Sequence, residues 1–153
     1  TDEVLGIEAV YLGNAEVTDF ADVSTVTITK SVQEINQGDR LVAPSGAAAN
    51  TYLPRAPSGN ISTRVISVYG GVSQAGQNTV ITLNKGARDG LESGHVLALY
   101  RKGEDVKSEG EKFTLPDERY GLVFVFRVFD KVSYAPVMQT RLPVQLLDRA
   151  QTP

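Results

Sequence analysis

Leu122-Val-Phe-Val-Phe-Arg-Val-Phe129 is an almost continuous apolar run, followed by Asp130-Lys131 and then by residues 132–142, which include Val132, Tyr134, Ala135 and Val137. Alternate residues of a strand point to opposite faces. Leu122, Phe124, Phe126 and Val128 therefore share one face, and Val123, Val125 and Phe129 occupy the other. β-branched and aromatic residues on both faces predict a strand buried on two sides, inside a barrel or between packed elements. Asp130-Lys131 has the length and polarity of a tight turn, although it lacks a glycine. Residues 132–142 then read as the returning strand, which Pro136 is expected to interrupt.

The same period of two recurs upstream. In residues 25–30, Val26 and Ile28 face one way and Thr25, Thr27 and Thr29 the other, which describes a half-buried strand. Residues 4–12, 64–72, 79–85 and 95–101 also read as strands, and few stretches hold a period of 3.6. The whole therefore reads as all-β. The chain has 153 residues, with 41% hydrophobic and 22% charged, enough to bury a core without metals or disulfides. Fifteen basic and eighteen acidic side chains give a net charge of −3, which gives no footprint for nucleic acid. No apolar run approaches the ~18 residues of a membrane span, and no signal peptide opens the sequence. A start at Thr1 suggests a mature or excised fragment. With no Cys, one His and no Trp, thiol chemistry and most metal sites are excluded, so no metal or cofactor is expected.

Two stretches break the pattern. Residues 43–60 hold three prolines, two glycines and an alanine run, with Arg55 as the only charge, and 44–60 reads as a flexible linker or long loop. Residues 102–119 carry ten charged side chains in eighteen, which describes an exposed hairpin tip or insertion. The chain thus divides into a first β-repeat at 1–43, the linker at 44–60, and a second β-repeat at 61–153 that contains the charged loop and a C-terminal hairpin. Charge follows this division, with −5 over residues 1–60 and +2 over 61–153.

The word "repeat" rests on self-similarity. Ala9-Val-Tyr-Leu-Gly13, the strand at 25–30 and Ile35-Asn-Gln-Gly-Asp-Arg-Leu-Val42 match Ser67-Val-Tyr-Gly-Gly71, the strand at 79–85 and Leu91-Glu-Ser-Gly-His-Val-Leu97. Val144-Gln-Leu-Leu-Asp-Arg149 is a third, partial echo, in which Leu147 replaces the glycine and is expected to alter the turn. In each copy an apolar residue plugs the core, and a chain reversal follows two residues later. Gly38, Asp39, Asp89, Gly90 and Gly94 are therefore assigned as structural turn residues. Gly86-Ala-Arg-Asp-Gly-Leu-Glu-Ser-Gly94 is not a phosphate loop, because it lacks the Lys-Ser/Thr ending and precedes a strand.

Catalytic patterns are weak. His95 could join Asp89 or Ser93 in a triad-like set, but no nucleophile elbow surrounds them, and a hydrogen-bonded turn histidine is the better reading. Asp117-Glu118 and Glu104-Asp105 are carboxylate pairs of the kind that hydrolyse glycans, but they read as solvated loop acids. No catalytic residue is assigned. Arg55, Arg119, Arg127 and Arg141 are the candidates for a partner-binding surface, and the strand at 25–30 offers an edge for added pairing.

Gly86-Ala-Arg-Asp-Gly-Leu-Glu-Ser-Gly-His-Val-Leu-Ala98, Pro116-Asp-Glu-Arg-Tyr-Gly-Leu-Val-Phe-Val-Phe-Arg-Val-Phe129 and Asp130-Lys-Val-Ser-Tyr134 resemble the C-terminal β-rich region of proteobacterial LysM-domain envelope proteins. The resemblance spans most of residues 9–153. It implies an exported protein of the periplasm or cell envelope, associated with peptidoglycan through a LysM module that lies outside these residues. It implies an accessory role for this region, presenting the glycan-binding module or binding an envelope protein partner, with a cell-wall hydrolase as the alternative. The expected fold is two related barrel- or sandwich-like lobes.

Overall fold

The computed structural model describes residues 3–44, 52–108 and 110–153. The architecture is all-β, with thirteen strands, one 3-10 turn at Ala87–Asp89 and no α-helix among the described residues. The chain forms two compact units, Glu8–Asn50 and Thr1–Ile7 with Thr51–Pro153.

The unit Glu8–Asn50 holds one antiparallel hairpin, β1 (Gly13–Asp19) with β2 (Thr25–Ser31). The strand expected over 4–12 is not formed, and β1 begins where that reading ends. Asn14, Glu16, Thr18 and Asp19 make β1 polar and hide its period, so its identity comes from its pairing with the Thr/Val/Ile alternation of β2. None of the described residues of this unit is buried, and Leu12, Val26 and Ile35 are half-buried.

The other unit is a barrel. Its strands are β3 (Ser62–Val68), β4 (Gln74–Ala75), β5 (Val80–Leu83), β6 (Val96–Arg101), β7 (Asp105–Ser108), β8 (Glu111–Thr114), β9 (Glu118–Phe124), β10 (Arg127–Val128), β11 (Ser133–Thr140), β12 (Val144–Gln145) and β13 (Arg149–Gln151). Antiparallel pairing runs β11–β5–β3–β13–β6–β9, and β9 then pairs back onto β11, so six strands form a closed ring. Closure removes the exposed edges that an open sheet would carry. At the closing seam a side chain at Gly121 would place its Cβ 2.6 Å from the Gln139 carbonyl oxygen, so glycine lets β9 approach β11. The interior is filled by Val65, Ile81, Leu83, Leu97, Leu99, Val123 and Val137, all fully buried. These are the alternate residues of their strands, which is how a small barrel fills itself. β7 and β8 form a separate exposed hairpin in the charged stretch, as read from its composition.

The run 122–129 departs from its reading in two ways. Val123 and Val125 are fully buried, but Leu122 and Phe124 are half-buried and Phe126 and Phe129 are exposed, so one face alone is core. The strand also splits. Val125 exchanges both main-chain bonds with the 94–95 segment (Gly94 N–H to Val125 O, 2.7 Å; Val125 N–H to His95 O, 2.8 Å), which bends the chain between β9 and β10. The glycine-free turn does form, with Phe129 N–H donating to Val132 O at 2.9 Å and β10 pairing with β11.

Pro136 does not interrupt β11. Val137 N–H donates to Thr79 O on the β5 side, and main-chain donors alternate sides along a strand. The missing donor of Pro136 therefore faces the opposite side, between the end of β9 and the start of β10, where no ladder bond is lost.

Of the linker read at 44–60, residues 45–51 lie outside the described residues. Residues 52–60 run beside the barrel: Arg55 N–H donates to Gly94 O (2.9 Å), Val96 N–H donates to Arg55 O (2.8 Å), and Pro57 is buried.

Candidate functional site

Three turns share one geometry. Asp39 N–H donates to Asn36 O (3.2 Å), His95 N–H to Glu92 O (3.2 Å), and Asp148 N–H to Gln145 O (3.3 Å). In each, the side chain of that last residue accepts from the first residue's N–H: Asp39 Oδ2 from Asn36 (2.7 Å), His95 Nδ1 from Glu92 (3.1 Å) and Asp148 Oδ2 from Gln145 (2.9 Å). The third residue has positive φ in all three, +103° at Gly38, +99° at Gly94 and +70° at Leu147. This is the type II arrangement that favours glycine. Leu147 therefore does not alter the turn. It adopts the strained conformation, held by its N–H to Val65 O at 2.8 Å.

Asp89 and Gly90 close the 3-10 turn. Gly90 sits at φ +84°, and the Asp89 carboxylate accepts from Lys85 Nζ (2.6 Å) and Gly86 N–H (3.2 Å). Burial opposes its ionisation, but Lys85, the Gly86 N–H and Arg88 outweigh that and hold its pKa below the ordinary value. His95 is buried, and its acceptor nitrogen is occupied by the Glu92 N–H, so it is a turn histidine. Desolvation, then the charge of Arg55, pull its pKa down against the opposing pull of Glu92.

The four candidate surface arginines do not form one patch. Arg119 and Arg141 lie together in a shallow depression with Tyr120, Gly121, Leu122 and Gln139, and Arg141 donates to the Arg119 carbonyl at 2.6 Å. Arg55 is ion-paired to Glu92 at 2.5 Å. Arg127 lies over the Phe129 ring, 5.2 Å from its centre, in a cluster where Tyr134 contacts both Phe126 and Phe129.

A polar network missed in the sequence joins Tyr120, Arg101 and Asp148. Asp148 Oδ2 accepts from Tyr120 Oη (2.6 Å), Arg101 Nη2 (3.1 Å) and Gln145 N–H (2.9 Å). Arg101 also donates to Pro143 O (2.6 Å) and lies 5.0 Å from the centre of the Tyr120 ring. Burial first, and then the adjacent carboxylate, push the Tyr120 hydroxyl far above its usual pKa, so it remains a donor. The hydrogen bond to Asp148 likewise holds Arg101 charged. Beside this network lies a cavity of about 280 Å³ lined by Arg64, Arg101, Lys102, Leu147, Asp148 and Arg149, with Gln145 and Leu146. Asp117 is not a freely solvated loop acid: it pairs with Arg149 (3.0 Å) and accepts from Gly103 N–H (3.1 Å). The lining residues are separated by up to 85 positions in sequence, and no local motif announces them.

No protein-family model matches the chain, and no curated protein matches it. Among the described residues no group of three or more His, Cys, Asp or Glu side chains could hold a metal ion, and no helix is long and apolar enough to cross a membrane. What the geometry offers is cationic and hydrogen-bonding surface on a rigid barrel.

Proposed function

We propose that this chain is a non-catalytic accessory domain of a LysM-type protein of the periplasm or cell envelope. Its association with peptidoglycan runs through a LysM module outside these residues, and the domain presents that module or binds an envelope protein partner. The sequence resemblance supports the setting. The β1–β2 hairpin is the observation that supports the binding role. A two-stranded hairpin is marginally stable at best on its own, yet this one leaves Val17, Ile28, Val32 and Phe20 exposed. Among the described residues β2 pairs with β1 alone, which leaves its other edge available for an added strand. An envelope protein partner that pairs with this edge and covers those side chains would supply the missing layer.

The test is to recover the coding sequence upstream of Thr1 and to fractionate cells expressing the whole protein. An export signal, a LysM module and recovery from the periplasm or envelope are the expected results. A cytosolic enzyme domain upstream would overturn the proposal. A second arm incubates the 153-residue chain with purified sacculi in high salt, where no co-sedimentation is expected. Salt-resistant sedimentation would instead place a glycan site within the chain.

A further inference from the structure

We propose that the outer face of the barrel carries a binding row for an acidic polysaccharide, formed by Arg64, Arg149, Tyr100 and Arg119. The row follows from strand register. Arg64 on β3 is paired with Arg149 on β13, Arg149 with Tyr100 on β6, and Tyr100 with Arg119 on β9. Residues in register point to the same side of a sheet. Here that side is the outside, because the next residues along, Val65, Ala150, Leu99 and Tyr120, are buried. Three interstrand steps of about 4.8 Å each make the row roughly 14 Å long.

Placing Arg64 directly opposite Arg149 sets like charges across a strand pair, an arrangement that costs stability unless something anionic sits on it. Asp117 neutralises Arg149. Arg64, Arg119 and the nearby Lys102 have no carboxylate within ion-pair distance among the described residues. The row borders the cavity lined by Arg64, Lys102 and Arg149 at one end, and at the other the depression shared by Arg119 and Arg141. Leu147, the one leucine held at positive φ, forms part of the cavity wall, and strain of this kind gathers at binding sites.

The chemistry selects the ligand class. Guanidinium groups take carboxylates as planar forks, and a half-buried tyrosine between arginines offers an apolar face to a sugar ring. Two unpaired arginines in this row, on a chain of net charge −3, suit the ring-borne carboxylates of a polyuronate better than the phosphate backbone of a nucleic acid, which calls for a larger basic patch. This inference does not depend on the envelope assignment, since its test uses defined polymers.

The experiment is affinity electrophoresis of the 153-residue chain through gels containing alginate as a polyuronate, neutral dextran, or single-stranded DNA. Retardation by alginate and none by dextran is expected. Arg64→Ala with Arg119→Ala, both exposed positions, should weaken the apparent alginate affinity about tenfold, whereas Lys112→Ala on the exposed β7–β8 hairpin should leave it unchanged. Urea unfolding of each variant confirms that the barrel is intact. The proposal is overturned by absence of retardation, by tighter binding to DNA than to alginate, or by a Lys112→Ala loss equal to that of the double variant.

Discussion

Replacing Asp148 by alanine tests whether the Tyr120 network holds the barrel together. One carboxylate oxygen accepts three donors, from the Tyr120 hydroxyl, the Arg101 guanidinium and the Gln145 N–H. Tyr120 is 2% exposed and Asp148 9% by side chain, so water cannot easily replace the lost acceptor. Removing one member of a buried charged pair typically costs about 3–5 kcal/mol, and because the Arg101 side chain is 28% exposed Asp148→Ala is expected near the lower end, about 3 kcal/mol. Tyr120→Phe removes a single hydrogen bond to a charged group without opening a cavity, so about 1.5–3 kcal/mol is expected. Because the two variants remove the same bond, the double variant should cost clearly less than their sum. Urea unfolding, with midpoints compared at a common slope, measures all three. An Asp148→Ala loss below about 1 kcal/mol, or strict additivity in the double variant, would refute the reasoning.

Leu147→Gly relieves a left-handed conformation worth roughly 1–2 kcal/mol but loosens the unfolded chain and removes a side chain that is 65% exposed, so its net effect on unfolding should be near zero. Gly94→Leu at the equivalent turn position should cost about 2 kcal/mol or more, because the added Cβ also meets the Leu53 carbonyl oxygen at 3.2 Å; equal effects of the two changes would contradict the shared turn geometry. His95 is harder to protonate in the folded state than its ordinary value of 6.5. Its contribution is therefore complete above pH 6.5 and is lost as pH falls below it, and in His95→Gln this part of the urea-midpoint profile should flatten. Glu3 forms a two-pronged pair with Arg88 (2.9 Å each) and a further pair with Lys131 (3.0 Å). Arg88 first and then Lys131 lower its pKa from 4.5 to about 2. The tether of residues 3–7 is thus fully present above pH 4.5 and lost as pH falls through about 2. An NMR titration of the Glu3 carboxyl with a midpoint near 4 would refute it.

The barrel's strands were legible where one residue set decides both period and burial. Val123 and Val125 alternate with less buried neighbours, Ile81 and Leu83 and likewise Leu97 and Leu99 stand two apart, and all six lie in the core. β1 was not legible, because its side chains are polar and its partner, not its composition, makes it a strand. Nor was the bend at Val125, which depends on main-chain bonds to residues 94 and 95. Pro136 and Leu147 each break a local preference that tertiary bonding overrides: one faces a gap between strands, the other is anchored to Val65. The arginine row was the least accessible feature. Arg119 was singled out as a surface cation, but Arg64 and Arg149 become neighbours through a strand pairing that spans most of the chain.

β13 is three residues long, yet it sits between β3 and β6 in the middle of the ring. The strand that joins the two halves of the sheet is thus the last to be synthesised of the thirteen. β3 can pair early with β5 but must wait for about 85 further residues before its second neighbour exists, and pairings of such long sequence separation form slowly. The barrel is therefore a late-closing structure whose N-terminal strands emerge before they can be completed. A nascent chain passes through an interval in which β3 and β6 each present one unpaired edge.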